Sequence, residues 1–186
     1  MLQKIVKSSI DEVVKYGYDR FTIETFHEEL VELFDFLTEQ YANNTPYDEA
    51  EPKLHTKLNE ENSTSDYCTW YMRVITSSYL KKDPNRFIHF LDDPNYFDVE
   101  TFCNREVDPM GRECGMVQVL ALAEATGVRV NIEYLDGRDL NHSSNKNRQS
   151  EDTQTLMIHQ FGPEEGACLE INLLYRPGHY DILYKE

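Results

Sequence analysis

No run of about 18 apolar residues occurs in the 186-residue chain, so the sequence predicts no helix that crosses a membrane. Its first residues, "MLQKIVKSSIDEVVKYGYDRF", put charge into every turn and hold no apolar block of the secretory kind. Positive charge is scarce: 18 Lys plus Arg stand against 34 Asp plus Glu, a formal net charge of −16. A surface of that sign repels phosphate and anionic lipid, which argues against nucleic acid and membrane as partners. A neutral or basic protein surface remains compatible. Cysteine is sparse as well. Cys68, Cys103, Cys114 and Cys168 form no CxxC pair, and no closely spaced histidine pair accompanies them, so neither a metal nor any other cofactor is expected. Without a secretory signal the four are predicted to be reduced thiols in a cytoplasmic or nuclear protein. The triplets "NNT", "NST" and "NHS" are accordingly read as chance matches to glycosylation acceptors.

A chain of this length, 40% of it hydrophobic, fits one domain with a genuine core, residues 1–186. Leu2, Ile5, Val6, Ile10, Val13 and Val14 make a helical stripe that Gly17 should end. Thr22 is the expected N-cap of a second helix, with Ile23, Phe26, Leu30, Leu33, Phe34 and Leu37 on one face. Residues 41–60 hold two prolines and little apolar periodicity, which predicts a long surface loop. A helix follows from Ser63, whose spacing to Asp66 resembles a capping box. Short helices are expected near 84–91 and 98–106, and an apolar helix should run up to Gly127. "VRVNIEYLD" alternates and is β-branched, the first clear strand; further strands fall near 155–161, 169–175 and 179–184. Between them, 136–154 is polar and turn-rich and is expected to be mobile. No internal repeat occurs. Helices first and strands afterwards spell an α+β fold with a small, mostly antiparallel sheet.

The chemistry is concentrated in "HYD", residues 179–181. On a strand the side-chain period is two, so His179 and Asp181 share a face while Tyr180 and Ile182 turn the other way, toward packing. A carboxylate beside an imidazole fixes the histidine's tautomer and steadies its cation, as two members of a catalytic triad do. The same pair near a chain end also suits local hydrogen bonding alone, and spacing does not choose between the two. The preceding Pro177-Gly178 supplies a turn that would deliver the histidine to a cleft edge. A nucleophile is harder to find. Cys114 and Cys68 lie near helix starts, where a thiolate is favoured, but no Gly-rich turn presents either, and a buried inert cysteine is the commoner arrangement. His27, His89 and His159 have apolar neighbours and read as structural. "DYCTWYMRVITSSYL" reads as core, with Trp70 and Tyr71 the residues that would face a partner if it is not.

Five stretches then point one way. "FTIETFHEELVEL", "STSDYCTWYMRVITSSYL", "FCNREVDPMGREC", "LALAEATGVRVNIEYLD" and "LLYRPGHYDILY" together resemble the otubains, deubiquitinating cysteine peptidases, in the family's own order. The resemblance implies a papain-like, ovarian-tumour-type α+β domain. It makes His179 the general base and Asp181 the residue that orients it. It also implies ubiquitin or polyubiquitin as substrate, and a ubiquitin-conjugating enzyme as a further partner. Family members carry an Asp-Gly-Asn-Cys-Phe segment whose cysteine is the nucleophile; no such segment occurs in these 186 residues, and Gly115-Met116 stand where otubains read Asp-His. The expectation is therefore a domain truncated at its N-terminus, with base and orienter but no nucleophile, and inactive alone. The alternatives are a non-catalytic module that binds ubiquitin or a conjugating enzyme, and a fragment of a full-length active otubain.

Overall fold

The apolar stripes of the N-terminal two thirds condense into helices, and the alternating segments after Gly127 pair into one sheet. The computed structural model describes residues 1–59, 64–91, 93, 95–135 and 158–184. These fall into two compact units, Met1–Thr126 and Gly127–Glu186.

In the first unit, α1 (Leu2–Lys15) presents Val6, Ile10 and Val13 on one buried stripe and ends where Gly17, at φ 98°, takes a conformation that side chains with a Cβ avoid. Helix α2 (Arg20–Ala42) begins earlier than expected. Its cap is Asp19 rather than Thr22: the carboxylate accepts the Thr22 backbone N–H at 2.9 Å and the Thr22 hydroxyl at 3.0 Å. A carboxylate is favoured there because the helix N-terminus is the positive end of its dipole. Helix α4 (Thr64–Lys82) runs through the centre, and its Cys68, Tyr71, Val74 and Ile75 pack with Val6, Ile10 and Val13 of α1 and Ile23 and Leu30 of α2. The aromatic stretch is thus core at Tyr71, which is fully buried with its hydroxyl 2.9 Å from Ser9 Oγ. Trp70 packs on Phe26, ring centroids 4.3 Å apart.

The expected loop at 41–60 is instead largely helical: α3 spans Tyr47–Asn59 with Pro52 inside it. Asp48 and Glu49 in the first turn and Lys57 in the last complement the dipole, and Ala50, Leu54 and Leu58 form a half-buried stripe at a spacing of four. Two prolines and many acids hid that periodicity. Short helices α5 (Pro84–Phe87, followed by a 3-10 turn) and α6 (Val99–Phe102, followed by a π-helical turn to Val107) are capped by Asp83 and Asp98. With Leu80, Val107 and Ala121 they build a second cluster around Phe87, which is fully buried. Helix α7 (Met116–Thr126) stops at Gly127, φ 69°. The cap at Ser63, the tract 136–154 and the first residues of the strand expected at 155–161 lie outside the described residues.

The second unit is a mixed four-stranded sheet, β1 (Val128–Tyr134), β2 (Ile158–Phe161), β3 (Leu169–Arg176) and β4 (His179–Leu183), in the order β2-β1-β3-β4. Two of its three pairings are antiparallel; β1 and β3 run parallel. The register sorts side chains by face. Val130 and Ile132 share one with Ile171, Leu173 and Tyr175. Arg129 and Asn131 share the other with Glu170 and Asn172. Asn131 is buried there and fully engaged: it donates to Glu170 Oε1 and Asn172 Oδ1, both at 2.8 Å, and accepts from Gln160 at 3.0 Å.

Candidate active site

The hairpin β3–β4 carries the pair. Arg176 and His179 face each other across the two-residue turn Pro177-Gly178. Proline holds its φ near −65° without strain, and Gly178 sits at φ 76°, the combination a type II turn requires. His179 therefore opens β4 directly from a tight turn, and the two-residue alternation brings Asp181 onto its face. His179 Nε2 and Asp181 Oδ1 are 3.0 Å apart. Both side chains are substantially exposed, 59% and 42%, so the pair is open to a reacting group from solvent.

That contact has a chemical consequence. A carboxylate only accepts, so Nε2 is the nitrogen that carries the proton, and the neutral ring is left with its lone pair on Nδ1. Nδ1 is the atom available to take a proton from a thiol. Asp181 is held below the usual carboxylate range, chiefly by the bond from His179; desolvation opposes this, and the contact with Arg176 adds to the lowering. The Arg176 contact is one that sequence reasoning missed: its Nη2 donates to Asp181 Oδ2 at 2.7 Å. The signal was present in "RPGH", because two residues that flank a two-residue turn must stand opposite each other.

Tyr180 turns to the other face as expected and packs on Tyr175, centroids 5.0 Å apart, in a row that continues through Tyr134 to His159. Ile182 does not pack: it is 59% exposed, because β4 is an edge strand with no described strand beyond it. His159 is the structural residue its neighbours suggested, set edge-on to Tyr134, and His27 lies 3.1 Å from the Val6 carbonyl and against Tyr71.

Three of the four thiols are shifted upward. Burial pushes the thiols of Cys68 and Cys103 up to about 11. Cys114 is exposed as a residue, yet desolvation raises its thiol too, with Arg73 partly offsetting the effect. Cys168 precedes β3 at the end remote from the turn, eight residues before Arg176, or roughly 26 Å along an extended strand. No group of three or more His, Cys, Asp and Glu suited to a metal ion occurs among the described residues. None of their helices is long and apolar enough to cross a membrane.

Comparison with known proteins places the chain among relatives. The family profile "Peptidase C65 Otubain" matches residues 1–185. The rat protein named ubiquitin thioesterase OTUB1 is 35% identical over 177 residues, which cover 95% of this chain and 56% of that protein. An Arabidopsis thaliana ovarian tumor domain-containing deubiquitinating enzyme 1 is 32% identical over 168 residues, 90% of this chain and 53% of the relative. Among solved structures, a chain from "The structure of a ceOTUB1 ubiquitin aldehyde UBC13~Ub complex" superposes with a TM-score of 0.72 at 28% identity, covering 100% of this chain and 67% of its own. The chain thus spans little more than half the length of the curated relatives it matches. With the motifs, the helices-then-sheet order and the match over nearly every residue in agreement, the chain belongs to the otubain family, Peptidase C65.

Proposed function

We propose that this chain carries the base half of a ubiquitin-directed cysteine isopeptidase site, with His179 as general base and Asp181 as its orienter. The observation that supports this reading most directly is the 3.0 Å contact of His179 Nε2 with Asp181, which leaves Nδ1 to receive a proton. In the full reaction Nδ1 would take the thiol proton, the thiolate would attack the isopeptide carbonyl, and the imidazolium would return the proton to the departing amine. Water would then hydrolyse the resulting thioester. Cys68 and Cys103 are poor nucleophiles, since a thiol near 11 is ionised to about one part in ten thousand at pH 7, and no Asp-Gly-Asn-Cys segment occurs in these 186 residues. We therefore assign the 186 residues, taken alone, binding of ubiquitin and of a ubiquitin-conjugating enzyme without cleavage, in the cytoplasm or nucleus. A relative solved with ubiquitin aldehyde and UBC13~Ub favours that second part.

The test is covalent labelling by ubiquitin bearing a C-terminal electrophile. The chain should remain unlabelled and leave ubiquitin chains intact, while fusion to an otubain segment containing Asp-Gly-Asn-Cys should restore labelling and turnover. In that fusion, His179→Ala should lower turnover by orders of magnitude. Labelling of the unfused chain at Cys68 or Cys114, lost in His179→Ala, would make it an enzyme as it stands and overturn the reading.

A further inference from the structure

The Asp181 carboxylate has two oxygens, and they have different partners. Oδ1 meets His179 Nε2 at 3.0 Å, and Oδ2 accepts from Arg176 Nη2 at 2.7 Å. Arg176 stands directly opposite His179 in the register, whereas Leu174 stands opposite Asp181 and offers no hydrogen bond. A side chain one step along the facing strand lies within diagonal reach of a long residue, and Arg176 uses that reach. Three side chains are thereby joined on one face of one hairpin, and the turn that joins its strands keeps the outer two in register.

From this arrangement we propose that Arg176 is a positioning residue: by holding Oδ2 it fixes the plane of the Asp181 carboxylate so that Oδ1 stays on the Nε2 edge of His179. The proposal rests on the reading of His179 and Asp181 as base and orienter. Its physical content is a restriction of torsion. A carboxylate on a short, exposed side chain rotates freely and would present either oxygen, or neither, to the imidazole. A donor anchored on the opposite strand removes that freedom without competing for the oxygen the histidine uses. The same contact adds to the preference of Asp181 for its charged form, after the larger effect of His179, because a guanidinium beside a carboxylate favours ionisation. The alternative is rivalry, in which Arg176 draws Asp181 away from His179. Separate oxygens, each at hydrogen-bond distance, argue against it.

The pair is exposed, 53% at Arg176 and 42% at Asp181, so its effect is bounded to the few-fold range of solvent-screened ion pairs. Nitrogen-15 spectra of the His179 ring report the fraction of neutral imidazole protonated on Nε2, and carboxyl carbon shifts follow the titration of Asp181. Both are measurable in the whole unfused chain. Arg176→Met keeps the apolar stem and removes every donor; Arg176→Lys keeps one cation in reach. In Arg176→Met the ratio of Nε2–H to Nδ1–H tautomer should fall by roughly two- to five-fold, the range an exposed ion pair supports. The Asp181 midpoint should rise, and Arg176→Lys should recover most of both changes. An unchanged ratio would overturn the proposal, and a ratio that rises would overturn it in favour of rivalry. These spectra do not depend on a nucleophile, so a failure of the fusion to turn over would count against the proposed function alone.

Discussion

The residue that decides whether His179 and Asp181 meet is Gly178, which contributes no side chain at all. Its φ of 76° lies in the left-handed region, and an added Cβ would touch nothing within 4 Å. Substitution there is therefore a pure backbone experiment. Gly178→Ala should cost about 1–2 kcal/mol, the penalty an L-residue meets in that region, and Gly178→Asn should cost visibly less because asparagine tolerates it. Chemical denaturation of the three proteins measures the order. An alanine variant as stable as the parent would show that the turn relaxes into another type, and the register of His179 opposite Arg176 would then have to be re-examined. The same scale shows what one sequence can disclose. "HYD" was legible because strand alternation is local and obligatory: it put both side chains on one face before any fold was known. The third partner, Arg176, was hidden by its five-residue separation from Asp181, which only the two-residue turn closes. Ile182 was misjudged for a related reason, since alternation says which face a side chain takes but not whether anything covers that face at a sheet edge.

Among the elements, the helices with strong apolar stripes were readable nearly to the residue, as α1 and α7 show. Helix α3 was not, because Pro52 argues locally against a helix while the contact of the Ala50, Leu54 and Leu58 stripe is tertiary. The parallel pairing of β1 with β3 was equally out of reach, since β2 comes between them in sequence and no local pattern encodes the crossing. Elements are also tied by specific polar contacts, and the one between α5 and α7 is testable. Arg86 donates to both carboxylate oxygens of Glu124, at 2.8 and 2.7 Å. That bidentate bond holds Glu124 below the usual carboxylate range, with burial acting in the opposite sense. Because the folded value lies below the unfolded one, the stabilisation is fully present above the unfolded value of about 4.5 and is lost as pH falls through the folded value. Glu124→Gln should thus be less stable than the parent by about 0.5–1 kcal/mol at pH 7, a figure already reduced for the partial exposure of both partners. Urea titrations repeated at decreasing pH should show the two proteins converging as Glu124 of the parent takes up its proton. A gap that persists in acid would assign the loss to packing rather than charge.

At the scale of the whole molecule the dominant quantity is net charge. The formal balance is −16 on 186 residues, and exposed ion pairs such as Lys7–Asp35, at 2.7 Å, and Lys82–Glu12, at 3.3 Å, consume little of the acidic excess. Two opposing effects of salt follow. Screening weakens each surface pair, worth at most about 1 kcal/mol, and it also weakens the repulsion among unpaired carboxylates, which acts between every pair within a Debye length of about 10 Å at 0.1 M. With nearly two acidic side chains for each basic one, repulsive pairs outnumber attractive ones, and unfolding relieves them by letting the chain expand. Stability should therefore rise with salt. A thermal melt at fixed pH 7 in 10 mM and then 200 mM sodium chloride should move Tm upward, by an amount that saturates as the Debye length falls below the spacing of surface charges. The same excess makes association with a basic protein surface steep in salt while stability improves, so the two measurements should move in opposite directions. A Tm that falls with salt would mean that the local pairs, including Arg86–Glu124 and Arg176–Asp181, outweigh the global repulsion, and that this surface is organised more tightly than its composition implies.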